Sequence, residues 1–180
     1  FASGIFPMAA YSKDQNFAFK NLCGGIKLQI KGTAVIKAIE IKGNKSEALS
    51  GKADATIYEG SKISSVIMHE GASKSVVLDC GSGVALNPST STEFIIVLPP
   101  IEFEEGFTIT LYDVDGGAMT KKATAKNTVE RSVLLKMPEF TYRSEKNETI
   151  LTSCPFKKGI NISDWLLYTT KEEIRLEAYI

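Results

Sequence analysis

Strand signals dominate the first 140 residues, as apolar and polar positions that alternate with a period of two. Ile26, Leu28 and Ile30 are interleaved with Lys27, Gln29 and Lys31, and Gly24-Gly25 before and Gly32 after punctuate the segment. Ala34 to Lys42 predicts the next strand. Its alternation is clean only at Ile39-Glu40-Ile41-Lys42, so a bulge near Lys37 is expected, and Gly43-Asn44 then makes a turn. Leu49 to Tyr58, with Gly51 early in it, and the short β-branched stretch Ser75 to Asp79 are further strands. Phe94 to Leu98 is continuously apolar, which predicts a central strand covered on both faces and stopped by Pro99-Pro100. Phe107, Ile109 and Leu111 alternate with Thr108, Thr110 and Tyr112. The turn Asp113-Val114-Asp115-Gly116-Gly117 and then Met119 to Ala125 complete a hairpin. Val129 to Lys136 reads as one more strand.

Seven or more short strands, with turn signals every eight to fourteen residues, predict an all-β chain folded as a Greek-key β-sandwich. The best helix candidate, Ile162 to Tyr168 with Ser163 or Asp164 as N-cap, is one or two turns long. Composition shifts near Glu139, and residues 141–148 are polar and charged, as a linker or long loop would be. The expected organisation is a sandwich domain over 1–140 and a C-terminal extension over 141–180 that docks on the sandwich or extends from it. That extension closes on a regular pattern: Ile174, Leu176, Ala178 and Ile180 alternate with Arg175, Glu177 and Tyr179. One reading is a last strand in its own sheet. The other is a strand that complements a groove in a neighbouring subunit, where main-chain hydrogen bonds bind and alternate apolar side chains fill pockets.

Charge and composition narrow the function classes. The 180 residues hold 43% apolar and 23% charged side chains, enough to bury a substantial core without a disulfide lattice. Lys plus Arg and Asp plus Glu are 21 each, and the densest basic run is only Lys121-Lys122 with Lys126, so nucleic acid is not an expected partner. No apolar run reaches the roughly 18 residues of a membrane-spanning helix. The chain opens at Phe1 without Met, a basic n-region or an apolar h-region. Its start is therefore expected to be trimmed, and any signal peptide or lipid-attachment Cys lost with it.

No catalytic set emerges from the motifs. Cys23, Cys80 and Cys154 fit no zinc spacing, and His69 is the lone histidine. Three readings stand for the cysteines: small buried residues in or beside strands, a Cys23–Cys80 bridge, or a thiol with His69 as base. Asp113-x-Asp115-Gly116 begins like a calcium loop, but position five is Gly117 and position twelve is Thr124. An Asx-rich hairpin turn is the expectation. Glu102, Glu104 and Glu105 sit together in one polar connection, which favours a solvated loop over the two flanks of a glycosidase cleft. Gly81-Ser82-Gly83 is a flexible turn; a nucleophile elbow needs Ser third in G-x-S-x-G. Asn44-Lys-Ser46, Asn147-Glu-Thr149 and Asn161-Ile-Ser163 match the glycosylation sequon, by chance if the protein is bacterial. Trp165, Tyr168, Tyr142 and Tyr179 are either packed or, if exposed, a sugar-stacking platform, with Trp165 and Tyr168 the candidate pair. No catalytic residue, metal or cofactor is expected.

The segments Phe19 to Ile30, Val35 to Gly43 and Leu49 to Ala53 resemble those of fimbrillin-like surface proteins of Bacteroidetes, the type V pilus subunit-like family. Val77 to Val84, Phe94 to Pro100, Gly106 to Thr110 and Asn127 to Leu134 extend the resemblance, which covers roughly residues 7–140. It implies an exported, often lipid-anchored protein of the cell surface or outer membrane, with transthyretin-like sandwich domains and a role as pilus subunit or adhesin. Partners would be other surface or pilus subunits, this chain included, and the membrane only through a lipid anchor outside these residues. It also implies polymerisation by strand exchange after proteolytic removal of a first strand, although full pilins of this type carry two sandwich domains. The alternative class is a carbohydrate-binding accessory lipoprotein that takes host or dietary glycans.

Overall fold

The structure, a computed structural model, describes residues 6–144 and the backbone of 149–151 and 174–176. The chain divides into two compact units, Phe1–Ser144 and Glu145–Ile180. The first carries β1 (Met8–Ala9), β2 (Lys20–Asn21), β3 (Gly24–Lys31), β4 (Val35–Gly43), β5 (Ala53–Tyr58), β6 (Lys62–Met68) and β7 (Ser75–Ala85). It continues with β8 (Thr92–Leu98), β9 (Ile101–Phe103), β10 (Phe107–Asp113), β11 (Ala118–Lys122), β12 (Asn127–Val129), β13 (Leu134–Lys136) and β14 (Phe140–Thr141). A single 3-10 turn, Glu59–Ser61, joins β5 to β6. The second unit holds β15 (Thr149–Leu151) and β16 (Ile174–Leu176), paired in parallel. Among the described residues there is no α-helix, and the chain is all-β.

Two sheets form the body. The first is antiparallel in the order β11-β10-β4-β7. In the second, β3 is central, with β8 antiparallel on one side and β13 and β14 parallel on the other. Period-two patterning delivers one apolar face from each sheet. Ile26, Leu28 and Ile30 of β3 and Phe94, Ile96 and Leu98 of β8 share one buried cluster with Ile39 and Ile41 of β4, Leu78 of β7, and Phe107, Ile109 and Leu111 of β10. One core shared by two sheets is the arrangement of a β-sandwich. Each such side chain, fully buried, contributes roughly 1.5–3 kcal/mol. The polar partners of β3 face outward, where Lys27 pairs with Glu93 at 2.5 Å and Lys31 with Glu139 at 2.8 Å.

The expected bulge is present. Ile36 pairs with Val84 and Ala38 with Asp79, so Lys37 stands opposite the four residues Cys80–Gly83. Gly81-Ser82-Gly83 is therefore a distortion within β7 and not a turn that ends it. Gly81 and Gly83 take φ of 63° and 109°, which lets the strand run on to Ala85 instead of stopping at Asp79. Lys37 closes the bulge by donating from Nζ to the Gly81 carbonyl.

Other expectations need correction. Gly24-Gly25 lies inside β3 and does not precede it. A Cβ on Gly24 would stand 2.0 Å from the Glu130 carbonyl oxygen, so the crossing chain demands glycine there. Among the described residues Phe94 to Leu98 is an edge strand, not a central one: there β8 pairs only with β3, and Ile95 and Val97 are half-buried. Its continuous apolar run reflects β-branched preference as much as two-sided cover. The strand expected from Leu49 begins at Ala53. Leu49 is in the core, Ser50 makes a lone bridge to Ser73, and Gly51 turns the chain at φ 135°. Val129 to Lys136 is two strands, because Ser132 at φ 64° turns the chain from β12, paired with β9, to β13, paired in parallel with β3. The polar segment expected from residue 141 begins later, since Thr141 is in β14 and Tyr142 is 5% exposed.

Candidate functional site

The Asp113 turn is the best-connected polar group of the body. Asp113 Oδ1 accepts from the amides of Asp115 at 3.0 Å and Gly117 at 2.7 Å, the Asx turn expected from the sequence. What the sequence did not announce is Tyr142, whose hydroxyl donates to Asp113 Oδ2 at 2.9 Å in a buried contact. Burial pushes the Asp113 carboxyl up. The Tyr142 hydroxyl, the Gly117 amide, Ser144 and the Asp115 amide together outweigh it and hold the group below the usual carboxylate range. Burial and that bond push Tyr142 up to about 12. Every donor here is internal, so the turn is a latch that ties the β10–β11 hairpin to the end of the first unit. Gly117 completes it, because a Cβ there would meet Asp113 Oδ2 at 2.6 Å.

The other candidates fall apart as constellations. Glu102 is in β9, and Glu104 and Glu105 are in the turn after it. Lys126 bridges Glu102 at 2.8 Å and Glu104 at 3.2 Å, while Lys45 lies 3.6 Å from Glu105. Cys23 and Cys80 are free thiols, both raised by burial, so the bridge weighed from the sequence is not formed. His69 faces Asp54 at 2.9 Å. The side-chain amide of Asn44 donates to the carbonyls of Glu105 at 2.6 Å and Ala123 at 2.9 Å and accepts from Thr108 at 2.8 Å. That sequon is thus occupied by internal bonds. Cys154, Trp165, Tyr168, Ala178 and Ile180 lie outside the described residues. Ile174 and Leu176 are in β16, where Ile174 pairs with Thr149 and Leu176 with Leu151.

Two concavities were not foreseen. The smaller, about 190 Å³, opens beside β11 and is lined by Ile109, Lys121, Met137 and Phe140 among others. Its walls come from both sheets, and Lys121 Nζ lies 4.7 Å from the centre of the Phe140 ring. The larger, about 370 Å³, lies between residues 11–18 and the Glu59–Ser61 turn. There Tyr11 is 44% exposed. Its backbone is pinned on both sides by one hydroxyl: Tyr11 N donates to Ser61 Oγ at 3.1 Å, and Ser61 Oγ donates to the Tyr11 carbonyl at 3.3 Å. Ser61 is buried at φ 57°, a left-handed conformation that costs a non-glycine residue roughly 1 kcal/mol. Asp14 folds its own loop, accepting from the Ser12 hydroxyl and from Asn16 N at 2.9 Å. The Ser12 hydroxyl and then the Asn16 amide hold its carboxyl below the usual range. Lys13 pairs with Glu59 at 2.8 Å. The one prior signal was negative: Tyr11 to Phe17 is polar and aromatic without a strand period.

No known protein family matches this chain, and no curated protein matches it.

Proposed function

We propose that this chain is a non-catalytic structural or adhesion module of the cell surface, exported and built like a fimbrillin-like pilus subunit. In this reading its sandwich is a transthyretin-like Greek key, and it associates by β-strand addition with other surface subunits or with copies of itself. The observation that carries the reading is the set of open edges. Among the described residues, β7 and β11 end one sheet and β8 ends the other, each with one unpaired side. An open edge offers backbone donors and acceptors to an incoming strand, and alternate side chains need pockets to set its register. The apolar seam beside β11, floored by Ile109, Met137 and Phe140, is such a pocket. The donor would be the amphipathic end of the chain, Ile174, Leu176, Ala178 and Ile180, after β16 leaves β15.

Light scattering over a range of protein concentrations tests this. The expected result is growth of mass with concentration, abolished by the double substitution Ile174→Lys, Leu176→Lys. A monomer mass at every concentration, or growth that the double variant leaves intact, would remove strand addition by this segment.

A further inference from the structure

We propose that the cavity between residues 11–18 and the Glu59–Ser61 turn binds a neutral saccharide, with the Tyr11 ring as stacking face and Asp14, Asn16 and Glu59 as partners of its hydroxyls. This goes beyond strand addition and is independent of it. At about 370 Å³ the cavity is at the small end of ligand sites, suited to one sugar ring and not to a large cofactor. Its lining residues include one exposed aromatic, Tyr11, two acids, Asp14 and Glu59, and the amide residue Asn16. A pyranose needs that mixture, since its axial C–H face packs on an aromatic ring while its equatorial hydroxyls donate to carboxylate and amide oxygens.

Charge excludes the nearest competitors. Lys13 is engaged with Glu59, and Asp14 leaves the site net negative, so a phosphate or carboxylate ligand would be repelled. A divalent cation would need several oxygens converging on one point and would be repelled by the Lys13 ammonium beside Glu59, whereas each sugar hydroxyl needs only one acceptor. A neutral polyol meets neither penalty.

The site is also held in advance of any ligand. Ser61, buried in its left-handed conformation, holds the Tyr11 backbone from both sides, and hydrogen bonds within Ser12-Asp14-Asn16 fix the lining segment that follows it. Preorganisation of this kind reduces the ordering cost of binding. Phe17 is 60% exposed beside two lining residues, Asn16 and Ala18, and Tyr58 is exposed beside Glu59. These exposed rings adjoin lining residues in the chain and are the candidates to contact a second sugar unit.

Saturation-transfer NMR on the full chain with the methyl glycosides of glucose, galactose, mannose, fucose, N-acetylglucosamine and N-acetylgalactosamine tests the assignment. Concentrations of roughly 10 mM reveal dissociation constants of millimolar order. The expected result is transfer to at least one glycoside, with amide shifts at 11–18 and 59–61. Tyr11→Ala and Asp14→Asn should each weaken it by about tenfold or more while Tyr11→Phe retains it. Tyr11 is held through its backbone, so Tyr11→Ala should melt with the parent protein; if it does not fold, Asp14→Asn and Glu59→Gln carry the test. Absence of transfer from every glycoside, or binding that the substitutions leave unchanged, would overturn the proposal, as would amide shifts at these residues with inorganic phosphate alone.

Discussion

The sandwich body and the flank formed by residues 8–19 with the β5–β6 hairpin are built on opposite terms. In the body, β3, β4 and β10 alternate buried and less buried positions almost without exception, and each is hydrogen-bonded on both sides. In the flank, β5 and β6 pair, among the described residues, only with each other, and Met8, Tyr11, Phe17, Phe19, Tyr58 and Ile67 are exposed. The flank also contains a buried left-handed serine at the wall of a cavity. Two-stranded ribbons bury little and are marginal alone, so the flank depends on the body for its order. The difference separates residues that make the fold from residues that the fold displays.

The largest test of that contrast compares truncations. Leu28→Ala or Phe94→Ala, at positions 0% and 2% exposed, should lose about 3–4 kcal/mol in urea unfolding. Ile67→Ala in the flank should stay within about 0.5 kcal/mol of the parent. Equal losses at both places would erase the distinction. Next in size is Gly24→Ala. Backbone oxygen and not a flexible side chain blocks the new methyl, so about 2 kcal/mol or more should be lost, read as a drop in the denaturation midpoint.

The latch gives a smaller effect with a pH signature. Tyr142→Phe removes the buried bond to Asp113 and should cost about 2 kcal/mol at neutral pH. The Asp113 carboxyl lies below its usual range. Its contribution is therefore complete above the ordinary carboxylate pKa of about 3.9 and is lost as pH falls through the lower native value. Tyr142 is displaced the other way. Its contribution is complete below about pH 10 and is lost as pH rises toward its native pKa of about 12. Midpoints measured from pH 2 to 12 should therefore fall at both ends, and Tyr142→Phe should flatten the alkaline limb. The smallest effect belongs to Lys126→Ala. Its two ion pairs are exposed to solvent, so the denaturation midpoint should not move beyond the error of measurement.

Much of the body was legible from the chain alone because its information is local. Alternation at Ile26-Leu28-Ile30 and Phe107-Ile109-Leu111, the interruption at Lys37, and the Asp113–Gly117 turn all became what their own neighbourhoods predicted. Where the reading failed, a distant partner had intervened. Gly24 reads as punctuation until Glu130 crosses it, and Phe94 to Leu98 reads as central until the sheet order leaves it at an edge. The stretch Val129 to Lys136 reads as one strand until Ser132 turns it toward β3.

The candidate site was hardly legible at all. Glu102, Glu104, Glu105, Cys80 and His69 attract notice as residue types, yet Lys126 takes Glu102 and Glu104, Lys45 takes Glu105, Cys80 falls in a strand bulge and His69 faces Asp54. Tyr11 attracts none, because its meaning depends on a hydroxyl 50 positions away.

By itself, then, the sequence determined that this protein is all-β, which faces of its strands are apolar, and where the Asx turn at Asp113 falls. Those follow from a two-residue period and from side chains that bond to their own backbone. Tertiary structure alone decided the parallel pairing of β13 and β14 with β3, which strands became edges, the bond from Tyr142 to Asp113 across 29 residues, and the cavity beside Tyr11. Each of these needs segments remote in the chain to meet in one register, and a local period carries no record of which remote segment will arrive.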